Sequence, residues 1–105
     1  MSQHIISLPT PGDGLVEFTM GFDPRLEDFF VNALQDGEGI YMSPPNLDQQ
    51  DIGVVIKERF RVDLPETVLQ AVIQDAIDFR FGASDIARRL YMYDALGVLQ
   101  ELKKW

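Results

Sequence analysis

A chain of 105 residues, 46% hydrophobic and 25% charged, carries enough apolar material for one core, and its ordinary composition excludes a disordered or low-complexity chain. The absence of cysteine excludes disulfides, thiolate zinc sites and cysteine nucleophiles. No apolar run approaches the about 20 residues of a membrane helix or the roughly 7–15 of a signal peptide, so a soluble, cytoplasmic, single α+β domain over residues 1–105 is expected. The net charge of −8 speaks against nucleic acid and membrane as partners.

In chain order, His4 to Leu8 reads as a short strand and the Pro9–Gly14 stretch as a turn-rich loop. Leu15 to Phe22, where Val16, Phe18, Met20 and Phe22 alternate with polar neighbours, reads as its hairpin partner. The first strand is short enough, and flanked closely enough by proline, to lie at an edge. Asp23 offers an N-cap and Pro24 a first helical residue. Leu26, Phe29, Phe30, Ala33 and Leu34 then recur at helical spacing until Gly37, which predicts a helix. Gly39 to Met42 is a candidate third short strand, closed by Pro44-Pro45.

Asn46 is placed to cap a helix carrying Leu47, Ile52, Val55, Ile56 and Phe60, although residues 52–62 also fit an extended ending through Phe60, Val62 and Leu64. Asp63 and Glu66 have capping-box spacing around Pro65. Leu69, Val72, Ile73, Ala76 and Phe79 then form a helical stripe to about Phe81, stopped at Gly82. The remaining apolar residues change phase, so two helices are expected rather than one: Ser84 to Leu90, and Asp94 to Trp105, with a bend at Tyr91-Met92-Tyr93. The expected fold is therefore an N-terminal β-hairpin, or three short antiparallel strands, packed on four to five helices, with an all-helical C-terminal half.

The charge is unevenly placed. Nine carboxylates precede Lys57 and are opposed only by Arg25, whereas eight acids and eight bases balance from Lys57 onward. Asp23, Glu27, Asp28, Asp36 and Glu38 form the densest part, and an acidic surface of this kind steers a basic partner. Glu27 and Asp28 also suit the first turn of the expected helix, a local structural reason for part of the acidity. Tyr91, Tyr93 and Trp105, of residue types enriched at interface centres, complete the candidate partner-binding set, although such spacing also serves a core.

Other constellations carry less. Residues 84–104 have the order of a helix-turn-helix, but the reading helix offers only Gln100, Lys103 and Lys104 against Asp94 and Glu101. Lys57, Arg59 and Arg61, and Arg88-Arg89, are small basic clusters that suit local acids as well as a ligand. His4, the only histidine, lies in the first strand without a neighbouring Ser or acid motif, and an edge or surface position is expected for it. Asp48 and Asp51, or Asp75 and Asp78, are carboxylate pairs of a kind that hard cations use, but solvated acids are the commoner case. No catalytic residue, metal site or cofactor is expected. The sequence points to an acidic protein-binding module of inhibitor, immunity or adaptor type. A regulatory DNA-binding protein and a structural homo-oligomer subunit stand as alternatives.

Overall fold

In the computed structural model, which describes residues 2–82 and 88–104, the chain builds a six-stranded mixed sheet with two helices on one face. The strands are β1 (Gln3–Thr10), β2 (Gly14–Asp23), β3 (Asp28–Gln35), β4 (Glu38–Met42), β5 (Arg88–Tyr93) and β6 (Leu99–Lys104), in the spatial order β4-β3-β2-β1-β5-β6. All neighbours are antiparallel except β1 and β5, which run parallel. That parallel pair requires a long crossover. It is supplied by α1 (Ile52–Phe60), entered through a 3₁₀ turn at Gln49–Asp51, and α2 (Glu66–Arg80). No helix among the described residues is long and apolar enough to cross a membrane.

The expectation of four to five helices and an all-helical C-terminal half is overturned by this mostly β architecture. The segment read as a helix from Asp23 to Asp36 is a turn followed by β3. Phe29, Val31 and Ala33 point to the core while Phe30, Asn32 and Leu34 line the opposite face, so both faces carry apolar residues and mimic helical spacing. Pairing with β2 over seven residues decides the outcome, as cross-strand packing commonly does for Phe- and Val-rich segments. Asp36 and Gly37, both at positive φ (52° and 82°), form the two-residue turn between Gln35 and Glu38. Such an Asp-Gly pair favours a hairpin, not a helix end.

The C-terminal correction has a similar cause. The expected helix from Asp94 to Trp105 is instead the turn and second strand of a hairpin, with Trp105 outside the described residues. The expected Ser84–Leu90 helix ends in β5, and its Ser84 cap also lies outside them. The phase change at Tyr91-Met92-Tyr93 is the alternation of a strand: Tyr91 faces the helices, Leu90 and Met92 the other side. Asp94 caps no helix. Its Oδ1 accepts the N–H groups of Leu96 and Val98, and Gly97 takes φ 78° to close the turn. The helix-turn-helix alternative thereby loses its reading helix. The strand expected over residues 39–42 is covered by β4, and α1 resolves residues 52–60 as helix.

The core lies between the sheet and the two helices. Ile6 and Leu8 of β1, Val16, Phe18 and Met20 of β2, and Val31 and Ala33 of β3 meet Ile52, Ile56 and Phe60 of α1 and Val68, Val72 and Ala76 of α2. Phe60 stands edge-on to Phe18 at 5.0 Å and to Tyr41 at 5.8 Å. Each such pair adds about 0.5–1.5 kcal/mol to the burial of its rings. Gly21 lets the chain start cross β2: a Cβ there would collide with the Ser2 carbonyl, while the Ser2 N–H donates to the Phe22 carbonyl at 3.0 Å. β1 is thus a central strand, not the edge strand its length suggests.

Candidate functional site

The eight residues expected to bind a partner fall in separate places. Asp23, Glu27 and Asp28 lie at the β2–β3 turn, whereas Asp36 and Glu38 lie at the β3–β4 turn, at the other end of β3. Eight residues of strand separate the two groups by on the order of 25 Å. Tyr91 is buried against the helices, Tyr93 is 43% exposed, and Trp105 lies outside the described residues.

At the β2–β3 end the turn is shaped by Asp23, which is 6% exposed. Its Oδ1 accepts the Arg25 N–H at 3.0 Å and its Oδ2 faces the Arg25 guanidinium at 3.4 Å. Burial pushes the Asp23 carboxyl up, but the Arg25 hydrogen bonds and charge outweigh it and hold the group below the ordinary carboxylate range. Asp23 is therefore engaged within the turn. Asp28 accepts the Asn46 N–H at 3.2 Å, and the Phe29 N–H donates to the Leu47 carbonyl at 3.2 Å. These bonds fasten the segment before α1 alongside β3, so that Asp48 and Glu27 line one cleft.

Between them opens a cleft of about 410 Å³. Phe22, Phe29 and Phe79 give it an aromatic lining, which Glu27, Asp48 and Arg80 at the end of α2 share. The rings support one another: Phe22 lies 5.2 Å from Phe29 and 5.7 Å from Phe79. Among the described residues no ion pair engages Glu27, Asp28, Asp48 or Asp51. The opposite end of the sheet differs, because Asp13 there faces Arg59 at 3.4 Å. Lys57 likewise faces Asp63 at 3.2 Å, and Arg59 also covers the Phe60 ring at 4.6 Å, so two bases of the 57–61 cluster serve local contacts.

A second polar constellation escaped the sequence reading. His4, expected at an edge or the surface, is 0% exposed. Its Nε2 lies 2.5 Å from Oδ2 of Asp75 on α2, and its Nδ1 lies 2.9 Å from the Tyr91 hydroxyl on β5. A carboxylate can only accept when ionised, so Nε2 carries the hydrogen, and in that tautomer the Tyr91 hydroxyl donates to Nδ1. Burial, aided by the charges of Glu101 and Asp75 and opposed by Arg89, pushes the Tyr91 hydroxyl above its usual range. With that hydroxyl enclosed, the relay clamps β5 onto β1 and α2. Arg89 borders it, 3.6 Å from Glu101 of β6. The sequence separations of 71 and 87 residues left no local signal for it.

Among the described residues no group of three or more His, Asp or Glu side chains is arranged to hold a metal ion. Compared with protein-family models, curated proteins and solved structures, the chain matches none.

Proposed function

We propose that this chain is a small acidic protein-binding module, of inhibitor, immunity or adaptor type, and that it engages a basic partner surface at the β2–β3 end of its sheet. The observation that carries this reading is the cleft, where Glu27 and Asp48 share an aromatic lining with no ion pair to neutralise them. A partner's lysine or arginine inserted there meets a carboxylate at its head and ring faces along its stem. Cation–π contacts of this kind contribute about 0.5–2 kcal/mol each. The far-end carboxylates Asp36 and Glu38 add to the long-range field and speed encounter without touching the bound group.

The test is affinity capture of a partner from the native source, followed by titration of the purified pair at low and high salt. Wild-type affinity is expected to fall steeply as salt rises, since rim charges act through screened attraction. Glu27→Lys with Asp48→Lys should weaken binding by at least tenfold, and Asp36→Lys with Glu38→Lys should lower the association rate alone. An affinity unmoved by salt, or a greater loss from the far-end pair, would overturn the proposal.

A further inference from the structure

Two large apolar side chains stand in solvent next to the cleft. Leu26 in the β2–β3 turn is 66% exposed, and Phe81, just beyond α2, is 87% exposed. Each is the chain neighbour of a residue that lines the cleft, Leu26 of Glu27 and Phe81 of Arg80, so each Cα lies about 3.8 Å from that of a lining residue. A single exposed leucine or phenylalanine is ordinary on a protein surface. Two of them, contributed by two elements that line the same acidic cleft, make one mixed surface of carboxylates and apolar side chains.

Both sit on backbone that local hydrogen bonds hold. The Phe81 N–H donates to the Ile77 and Asp78 carbonyls at 3.3 and 3.1 Å, and the Gly82 N–H donates to the Phe79 carbonyl at 3.0 Å with Gly82 at φ 91°. Asp23 accepts the N–H of Arg25, immediately before Leu26, and Glu27 turns the chain into β3 at φ 53°. An anchor held in place before binding loses less entropy when a partner arrives. Leu15 and Leu96, 65% and 89% exposed, differ in position: they lie at the β1–β2 and β5–β6 turns, at the opposite end of the sheet, and neighbour no residue that lines the cleft.

We infer that Leu26 and Phe81 are apolar anchors of the partner interface, and that the partner segment is amphipathic, with lysine or arginine side chains interleaved with leucine or aromatic ones. The inference rests on the cleft reading and narrows it. Glu27 and Asp48, without an ion pair among the described residues, meet the basic side chains by charge complementarity. Leu26 and Phe81 leave water against the apolar ones, which supplies affinity that salt does not screen. Phenylalanine is among the residue types enriched at interfaces, whereas rim charges mainly set the rate of encounter.

A pair of synthetic peptides of equal length and charge separates the contributions: one of lysine, arginine and serine, the other with its serines replaced by leucine and tryptophan. Calorimetric titration at low salt should show the apolar-containing peptide binding about tenfold more tightly, with the advantage persisting as salt rises. Leu26→Ser and Phe81→Ser, both at exposed positions, should keep the far-ultraviolet circular dichroism of wild type, remove most of that advantage and leave binding of the serine peptide unchanged. Leu96→Ser should alter neither affinity. Equal affinities for the two peptides, or an advantage that survives both cleft-end substitutions or falls equally in Leu96→Ser, would overturn the inference and leave the cleft reading standing. If neither peptide binds at low salt, the cleft reading falls and the inference with it.

Discussion

The β2–β3 end of the molecule and the β1–β5–α2 junction both bring ionisable groups together over aromatic rings, and they treat them in opposite ways. At the junction both ring nitrogens of His4 have a partner: Asp75 accepts from one and Tyr91 meets the other, with His4 and Tyr91 buried between the sheet and α2. At the β2–β3 end, Glu27 and Asp48 border an open cleft with no ion pair among the described residues. Burying a polar group is tolerable only when it is hydrogen-bonded, and an exposed carboxylate costs nothing to leave alone. The contrast separates groups that hold the fold from groups free to meet a partner.

The largest expected effect of breaking that contrast is at His4. His4→Ala leaves the Asp75 carboxylate and the Tyr91 hydroxyl without their shared partner, and should lower unfolding free energy by about 2–4 kcal/mol, read by urea denaturation. Tyr91→Phe keeps the ring and removes one hydrogen bond, for about 1 kcal/mol at neutral pH. A cost at His4 no greater than that at an exposed residue would erase the distinction between the two regions.

The pH dependence of Tyr91 sharpens it. Because the folded hydroxyl titrates above its unfolded value of about 10, its contribution is fully present below that pH and lost as pH rises through the folded value. Wild type should therefore lose stability in alkali faster than Tyr91→Phe, with the wild-type phenolate absorbance rising in step with unfolding. Asp23 has the opposite sign. Its folded value lies below the unfolded one of about 3.9, so its contribution is present above that pH and lost as pH falls through the folded value. Asp23→Asn should flatten the acid limb of the stability profile.

The smallest stability effects belong to the cleft. Glu27→Lys should shift unfolding free energy by no more than about 0.5 kcal/mol, as substitutions at exposed positions without fixed partners do, whereas Asp48→Lys also removes the reciprocal cap with Asp51 and should cost on the order of 1 kcal/mol. A loss above about 1 kcal/mol at Glu27, by the same urea denaturation, would make this carboxylate structural and the contrast false.

Legibility in the sequence followed the range of the interactions involved. α2 announces itself because Leu69, Val72, Ile73, Ala76 and Phe79 recur at helical spacing, a signal contained within one element, and Val72 and Ala76 are buried with Leu69 and Phe79 packed beside them. β3 and β5 were hidden because Phe30, Leu34, Leu90 and Met92 make their outer faces apolar, which blurs a period of two into one near 3.6. Asp36-Gly37 and Asp94 were visible as residues, but each also serves as a helix boundary, and only strand pairing selects the turn. The cleft joins Phe22 and Phe29 to Phe79, and the relay joins His4 to Asp75 and Tyr91. Neither combination exists until the crossover through α1 and α2 has formed. The acidic bias of the first half was plain from composition, whereas its division between the two ends of β3 required the register.

The most direct measurement is a low-salt titration of isotopically labelled protein with a short lysine- and arginine-rich peptide, followed by backbone and side-chain NMR shifts. Shifts should concentrate at Glu27, Asp48, Gln49, Phe79 and Arg80, vanish at high salt, and be lost in the Glu27→Lys, Asp48→Lys protein. Shifts centred on Asp36 and Glu38, spread evenly over the acidic surface, or absent at low salt would contradict a binding site at the β2–β3 end.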